Sequence, residues 1–133
     1  MIRTLVAAGI LILVPLLYAA SIDMTAQGQG ALATAQTTTG ASANEANFGV
    51  SGRRGAATFQ SVNTAGTATV ELQQTCTQSG GASTNWVTLA NTSTTLAVGA
   101  GLVTVQSPGC SYRANVTACT GCSVTVTATS IGK

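Results

Sequence analysis

Between Thr67 and Cys76 apolar and polar residues alternate, with Ala68, Val70 and Leu72 on one face and Thr67, Thr69, Glu71 and Gln73 on the other. A period of two predicts a half-buried β-strand. The theme returns at Ala57 to Val62, Trp86 to Leu89, Thr94 to Val98, Leu102 to Gln106, Ser111 to Ala118 and Cys122 to Ser130, with Gly, Asn and Ser between the runs. No segment after Gly40 has the three-and-four spacing of an amphipathic helix. The expected fold is therefore all-β, an antiparallel β-sandwich (jelly-roll or Ig-like) of about seven to eight strands. Its expected core is Phe59, Val70, Leu72, Trp86, Leu89, Tyr112, Val116, Val124 and Val126, with Trp86 at the centre and Phe59 and Tyr112 beside it.

The last two runs carry a register argument. A three-residue loop Cys119-Thr120-Gly121 would pair Ala118 with Cys122, Val116 with Val124, Ala114 with Val126 and Tyr112 with Ala128. All the apolar side chains then share one face, and Gly121 takes the left-handed position of a bulged hairpin loop. A hairpin is expected here.

Two segments of different character precede the strands. Arg3 leads into an apolar run from Leu5 to Ala20, with Pro15 near its end and Ala19, Ala20 and Ser21 after it. That order is that of a secretory signal peptide, cleaved after Ala20 or Ser21. The run is shorter than the about 20 apolar residues of a spanning helix. The alternative is a retained hydrophobic helix serving as membrane or assembly anchor, with membrane contact through Leu5 to Ala20. Residues 22–47 are rich in Ala, Thr, Gln and Gly and poor in large apolar side chains, which predicts a flexible linker or arm. An arm of this kind also suits strand addition to a neighbouring subunit. The domain plan is thus 1–21, signal or anchor; 22–47, linker or arm; 48–133, β-sandwich.

Charge narrows the chemistry. The chain of 133 residues holds five Lys and Arg, three Asp and Glu and no His, for a formal net charge of +2. So sparse a positive charge predicts no nucleic-acid partner. Ser and Thr abound, but a hydroxyl nucleophile needs a base beside it. No catalytic, metal or cofactor-binding residue is expected. Glu45 and Glu71 could act as a pair only if folding joined them, and Glu71 lies on the polar face of its strand. Arg53 and Arg54, between Gly52 and Gly55, fit a solvated turn better than an anion site. Asn91-Thr92-Ser93 and Asn115-Val116-Thr117 match the glycosylation acceptor pattern. With Trp86, Tyr112 and Phe59 inside, only Tyr18 and Phe48 remain for an aromatic platform, which argues against a carbohydrate-binding face.

Cys76, Cys110, Cys119 and Cys122, behind an export-like N-terminus, predict two structural disulfides. Cys76 to Cys110 and Cys119 to Cys122 is the preferred pairing. The Cys-x-x-Cys at 119–122 has redox and metal alternatives. Ser123 stands where haem attachment needs His, a strand follows where a thioredoxin-like motif needs a helix, and a zinc site would have to use all four cysteines.

Several stretches together carry a resemblance: "TTTGAS", "ATFQ" after an Arg-containing turn, "TATVELQQT", "TNWVTLA", a Thr-rich run, "YRANVTA" and "G-x-SVTVTA". From Thr37 to Ser130 the chain resembles small β-sandwich structural proteins of bacteriophage virions, the decoration, spike and tail-associated components. The hydrophobic N-terminus and the four cysteines depart from that pattern. The resemblance implies a non-enzymatic virion protein without catalysis. Expected partners are further copies of itself and other virion or surface-assembly proteins. Expected locations are the virion surface or an extracellular or periplasmic space. A secreted or surface-attached bacterial subunit, pilus-like or adhesin, is the alternative.

Overall fold

The computed structural model describes residues 20–24, 28–49, 55–79, 82–106 and 108–131. In chain order the strands are β1 (Ala20–Asp23), β2 (Gln29–Gln36), β3 (Gly40–Ala41), β4 (Asn44–Asn47), β5 (Ala56–Asn63), β6 (Thr67–Thr75) and β7 (Thr77–Ser79). There follow β8 (Ala82–Thr84), β9 (Val87–Thr88), β10 (Thr94–Leu96), β11 (Gly99–Gln106), β12 (Ser111–Thr120) and β13 (Val124–Ile131). Sheet A has the order β1-β4-β12-β6-β10, with β3 on β12 and β9 on β6, and sheet B the order β11-β5-β13-β2. A separate hairpin joins β7 to β8. All pairings are antiparallel except that of β1 with β4. The expectation of an all-β, two-sheeted protein holds.

Alternation explains the layers. Ala68, Val70 and Leu72 of β6 and Tyr112, Ala114 and Val116 of β12 point inward from sheet A. Leu32 and Ala33 of β2, Ala57 and Phe59 of β5, and Val124, Val126 and Ala128 of β13 meet them from sheet B. Most of these side chains are small, so the volume is filled by three rings: Phe48, Phe59 and Tyr112, with centroids 5.4 to 6.2 Å apart. Edge-on and tilted aromatic packing adds about 0.5–1.5 kcal/mol per pair beyond area burial.

Several expectations are corrected. The segment 22–47 is no spacer: β2 completes sheet B, β3 and β4 flank β12, and Met24, Leu32, Ala33 and Ala46 are buried in the core. Its small residues suit a strand lying close against others, and the ordering entropy that predicted disorder is offset by two sheets already present. Phe48, expected outside, is 2% exposed. Trp86, expected at the centre, is half-buried on the outer side of sheet A, over Arg113. The reason is parity. Leu72 and Ala114 face inward, so Gln73 and Arg113, which pair across the sheet, face outward, and Trp86 rests on the latter. Phe59 and Tyr112 therefore surround Phe48 instead. Leu89 is half-buried and packs against the core; the other expected core residues are buried. The hydrophobic run lies outside the described residues, apart from Ala20 at the start of β1. Among the described residues no helix is long and apolar enough to cross a membrane.

The expected terminal hairpin is also corrected. β12 pairs with β3, β4 and β6 in sheet A, whereas β13 pairs with β5 and β2 in sheet B. The chain crosses between sheets at 121–123 as an arch. The two apolar faces meet across the core, so the same one-sided pattern satisfies an arch as well as a hairpin. Gly121 does adopt the left-handed conformation, with φ of 60°.

A second crossing, from β5 to β6, interlocks with this arch. Thr64 N donates to Ser123 O at 3.0 Å, and Gly66, at φ 53°, has no room for a side chain because a Cβ there would stand 2.0 Å from the Thr120 carbonyl oxygen. Gly66→Ala is therefore expected to cost about 2 kcal/mol or more, from left-handed strain plus displacement of backbone. Equilibrium urea unfolding checks this, and a variant within about 0.5 kcal/mol of the parent would show that the two crossings are not in contact.

Candidate functional site

The described charged side chains gather on sheet A and its margin: Asp23, Glu45, Glu71 and Arg113. Glu71 and Asn115 oppose each other on β6 and β12, and Gln73 opposes Thr88 across β6 and β9. One carboxylate oxygen of Glu71, Oε1, accepts from Asn115 Nδ2 at 2.8 Å, Thr88 Oγ1 at 2.9 Å and Gln73 Nε2 at 3.1 Å. The Asn115 bond leads in lowering the Glu71 pKa below its ordinary 4.5, partial burial opposes it, and the Thr88 and Gln73 bonds assist. Glu71 is thus held as an anion that ties three strands, an arrangement poorly suited to releasing or taking a proton.

A lowered folded-state pKa fixes the sign of the pH dependence. The contribution is present above 4.5 and is lost as pH falls through the lower folded value. Glu71→Gln is expected to cost less than about 1 kcal/mol at pH 7, because the group faces water. The difference between variant and parent should vanish well below pH 4.5. Thermal melts at neutral and acid pH read this directly; a constant difference across the range would mean that charge plays no part.

Arg113 and Trp86 form the neighbouring element. The Arg113 Cζ lies 4.4 Å from the Trp86 ring centroid, and its Nε donates to Gln73 Oε1 at 2.8 Å. Partial burial draws the guanidinium below its ordinary pKa, opposed by the Glu45 carboxylate nearby. Glu45 is itself buried and accepts from Ser83 Oγ at 2.9 Å, and Ser83 lies 3.4 Å from the Ser111 hydroxyl. A cation over an aromatic face contributes about 0.5–1 kcal/mol at a half-exposed position, so the pair anchors the 85–88 segment to the sheet. Glu45 and Glu71, which could have acted together only if folding joined them, each have their own hydrogen-bond partners.

Sheet B is chemically different. Its strands β2, β5, β11 and β13 contain no Asp, Glu, Lys or Arg. Between the sheets, a cavity of about 10 Å³ beside Phe59, Leu72, Val103 and Ala114 has room for roughly one water, far below the volume of a ligand site.

The cysteines join as Cys76–Cys110 and Cys119–Cys122, with Cα atoms 4.9 and 5.3 Å apart. The first bridge continues the β6–β12 ladder one step beyond its last pair, Ser111 with Thr75. The second spans the arch between the sheets. Among the described residues no group of three Cys, Asp or Glu side chains could hold a metal. The pair Arg53 and Arg54 lies outside the described residues.

Asn63 was missed by sequence reasoning. Only 1% exposed, its Nδ2 donates to the carbonyls of Gly66 and Leu96 at 3.2 Å and to that of Ala97, and its Oδ1 accepts from Ser123 N at 3.1 Å. Three chain crossings meet on this one amide. The only signal in the sequence was an Asn closing a strand, which reads equally as a turn residue. Comparison with protein-family models, curated proteins and solved structures finds no match to this chain.

Proposed function

We propose that the chain is a non-enzymatic structural protein of a virion surface, a β-sandwich decoration or spike-like module attached through its N-terminal segment. The observation that carries this reading is strand order. Numbered along the chain, the eight principal strands β2, β4, β5, β6, β10, β11, β12 and β13 run 1-8-3-6 in sheet B and 2-7-4-5 in sheet A. That is the order of a jelly roll, an architecture used by viral capsid and lectin domains. Fold alone leaves many functions open. The rest of the support is chemical: Glu45, Glu71 and Arg113 are engaged in holding strands together, and one whole sheet is uncharged.

Two disulfides are compatible with an extracellular or otherwise oxidising compartment. They favour a second reading, a secreted or surface-attached bacterial subunit. Intact-mass spectrometry of purified particles, against phage-free culture medium, separates the two. Recovery of the chain in stoichiometric amount with the particles supports the virion reading. Its absence from particles, with recovery from phage-free medium, overturns it in favour of the second.

A further inference from the structure

Sheets end in edges, and an edge strand offers a row of backbone donors and acceptors to any chain that can pair with it. Among the described residues, three of the four end strands of sheets A and B are blunted. At one end of sheet A stands β1, which spans only Ala20–Asp23, and at the other β10, only Thr94–Leu96. The β2 edge of sheet B is bent by register shifts against β13 and by Ala35 at φ 47°, and Asn44 Nδ2 donates to its Ala31 carbonyl at 3.0 Å.

The fourth edge, β11, lacks these devices. It runs for 8 residues in unbroken register with β5, which is its sole strand partner among the described residues. Its sequence, GAGLVTVQ, has no charge and no proline. Among the described residues, two of the three most exposed large apolar side chains, Leu102 at 64% and Val98 at 70%, lie on or beside it.

We propose that β11 is an assembly edge, pairing antiparallel with β11 of a second copy of this chain across a two-fold axis at Leu102. It rests on the reading of the protein as an assembling surface subunit and specifies the contact. A second copy is the occupant because an uncharged edge meets an identical one without like-charge opposition, and because a two-fold contact requires a self-complementary strand. Register follows from the pleat. Val103 and Val105 pack toward the core, while Ala100, Leu102 and Thr104 face outward. Residues opposite each other must share a face. An axis at Leu102 satisfies this: Leu102 meets its own counterpart, Ala100 meets Thr104 and Gly101 meets Val103. The two exposed leucines then cover each other, and two sheets B become one.

The test uses the full chain in mild detergent, followed by sedimentation velocity over a concentration series and by amide exchange. The parent is expected to form a dimer whose β11 amides exchange more slowly than in the monomer. L102K, which sets two ammonium groups face to face, is expected to raise the dissociation constant roughly tenfold or more, with circular dichroism and both disulfides unchanged. The double variant A100K/T104E, which sets opposite charges face to face, is expected to retain the dimer. A monomeric parent, a dimer indifferent to L102K, a dimer lost in A100K/T104E, or open-ended oligomers would each overturn the proposal. None of these outcomes bears on whether the chain is found in particles, so the two readings fail separately.

Discussion

Replacing Cys76 and Cys110 together by serine is expected to lower the unfolding free energy by about 4 kcal/mol, whereas replacing Cys119 and Cys122 costs about 2 kcal/mol. The difference comes from the loops closed in the unfolded chain. The first bridge joins residues 34 apart in sequence and the second residues only 3 apart, and the entropy removed grows with the logarithm of that separation. The native geometry adds to the contrast. Cys110 N donates to Gly49 O at 2.6 Å and Cys110 O accepts from Phe48 N at 2.8 Å, so the first bridge holds the base on which the Phe48 ring enters the core. Of a typical total stability of about 5–15 kcal/mol, the first loss is a large share. Urea unfolding of both double variants decides the matter. If the Cys119/Cys122 variant proves the weaker protein, the loop-closure account is wrong and the arch itself is the element that needs clamping.

Asn63→Ala is expected to cost about 3 kcal/mol, the second largest effect. The substitution leaves a small void, but its main consequence is electrostatic. The carbonyls of Gly66, Leu96 and Ala97 lose a donor, and Ser123 N loses its acceptor. Each buried group left without a partner costs about 1–3 kcal/mol, with some recovered where water can enter. Asn63→Asp separates this account from a packing one, since it keeps the shape yet turns a carboxylate toward three carbonyl oxygens. It should be at least as destabilising as alanine at neutral pH and recover in acid, where a protonated carboxyl regains one donor. An aspartate variant as stable as the parent would show that the amide's donors contribute little.

The two predictions bear on how legible this protein is. Cysteine pairing was open to argument because spacing and strand patterns are local. Asn63 was not, because three of its four partners, Leu96, Ala97 and Ser123, come from two distant stretches of chain and only Gly66 is near it in sequence. The same division runs through the candidate site. Glu71 could be placed on a polar face from its strand alone, with Gln73 beside it on the same face, but its other two donors, Thr88 and Asn115, are brought in only by the pairings of β6 with β9 and β12.

Alternation along β5, β6, β11, β12 and β13 was enough to name the strands and an all-β class, and along β5, β6, β12 and β13 to name inward residues such as Phe59, Val70, Tyr112 and Val124, because side-chain direction in a strand depends only on parity. Low charge and four cysteines were likewise plain from composition. Tertiary structure decided which strands are neighbours. A one-sided apolar pattern is satisfied equally by a hairpin and by an arch between facing sheets, so β12 and β13 could not be assigned to opposite sheets in advance. It decided the centre of the core too, where Phe48 displaces Trp86 because an outward-facing arginine offers the indole a seat and three smaller rings fill the gap. It also decided the fate of residues 22–47. Small Ala, Gly and Thr side chains are too weakly apolar to order a segment alone, yet they are small enough to lie flat against strands that other residues have already ordered.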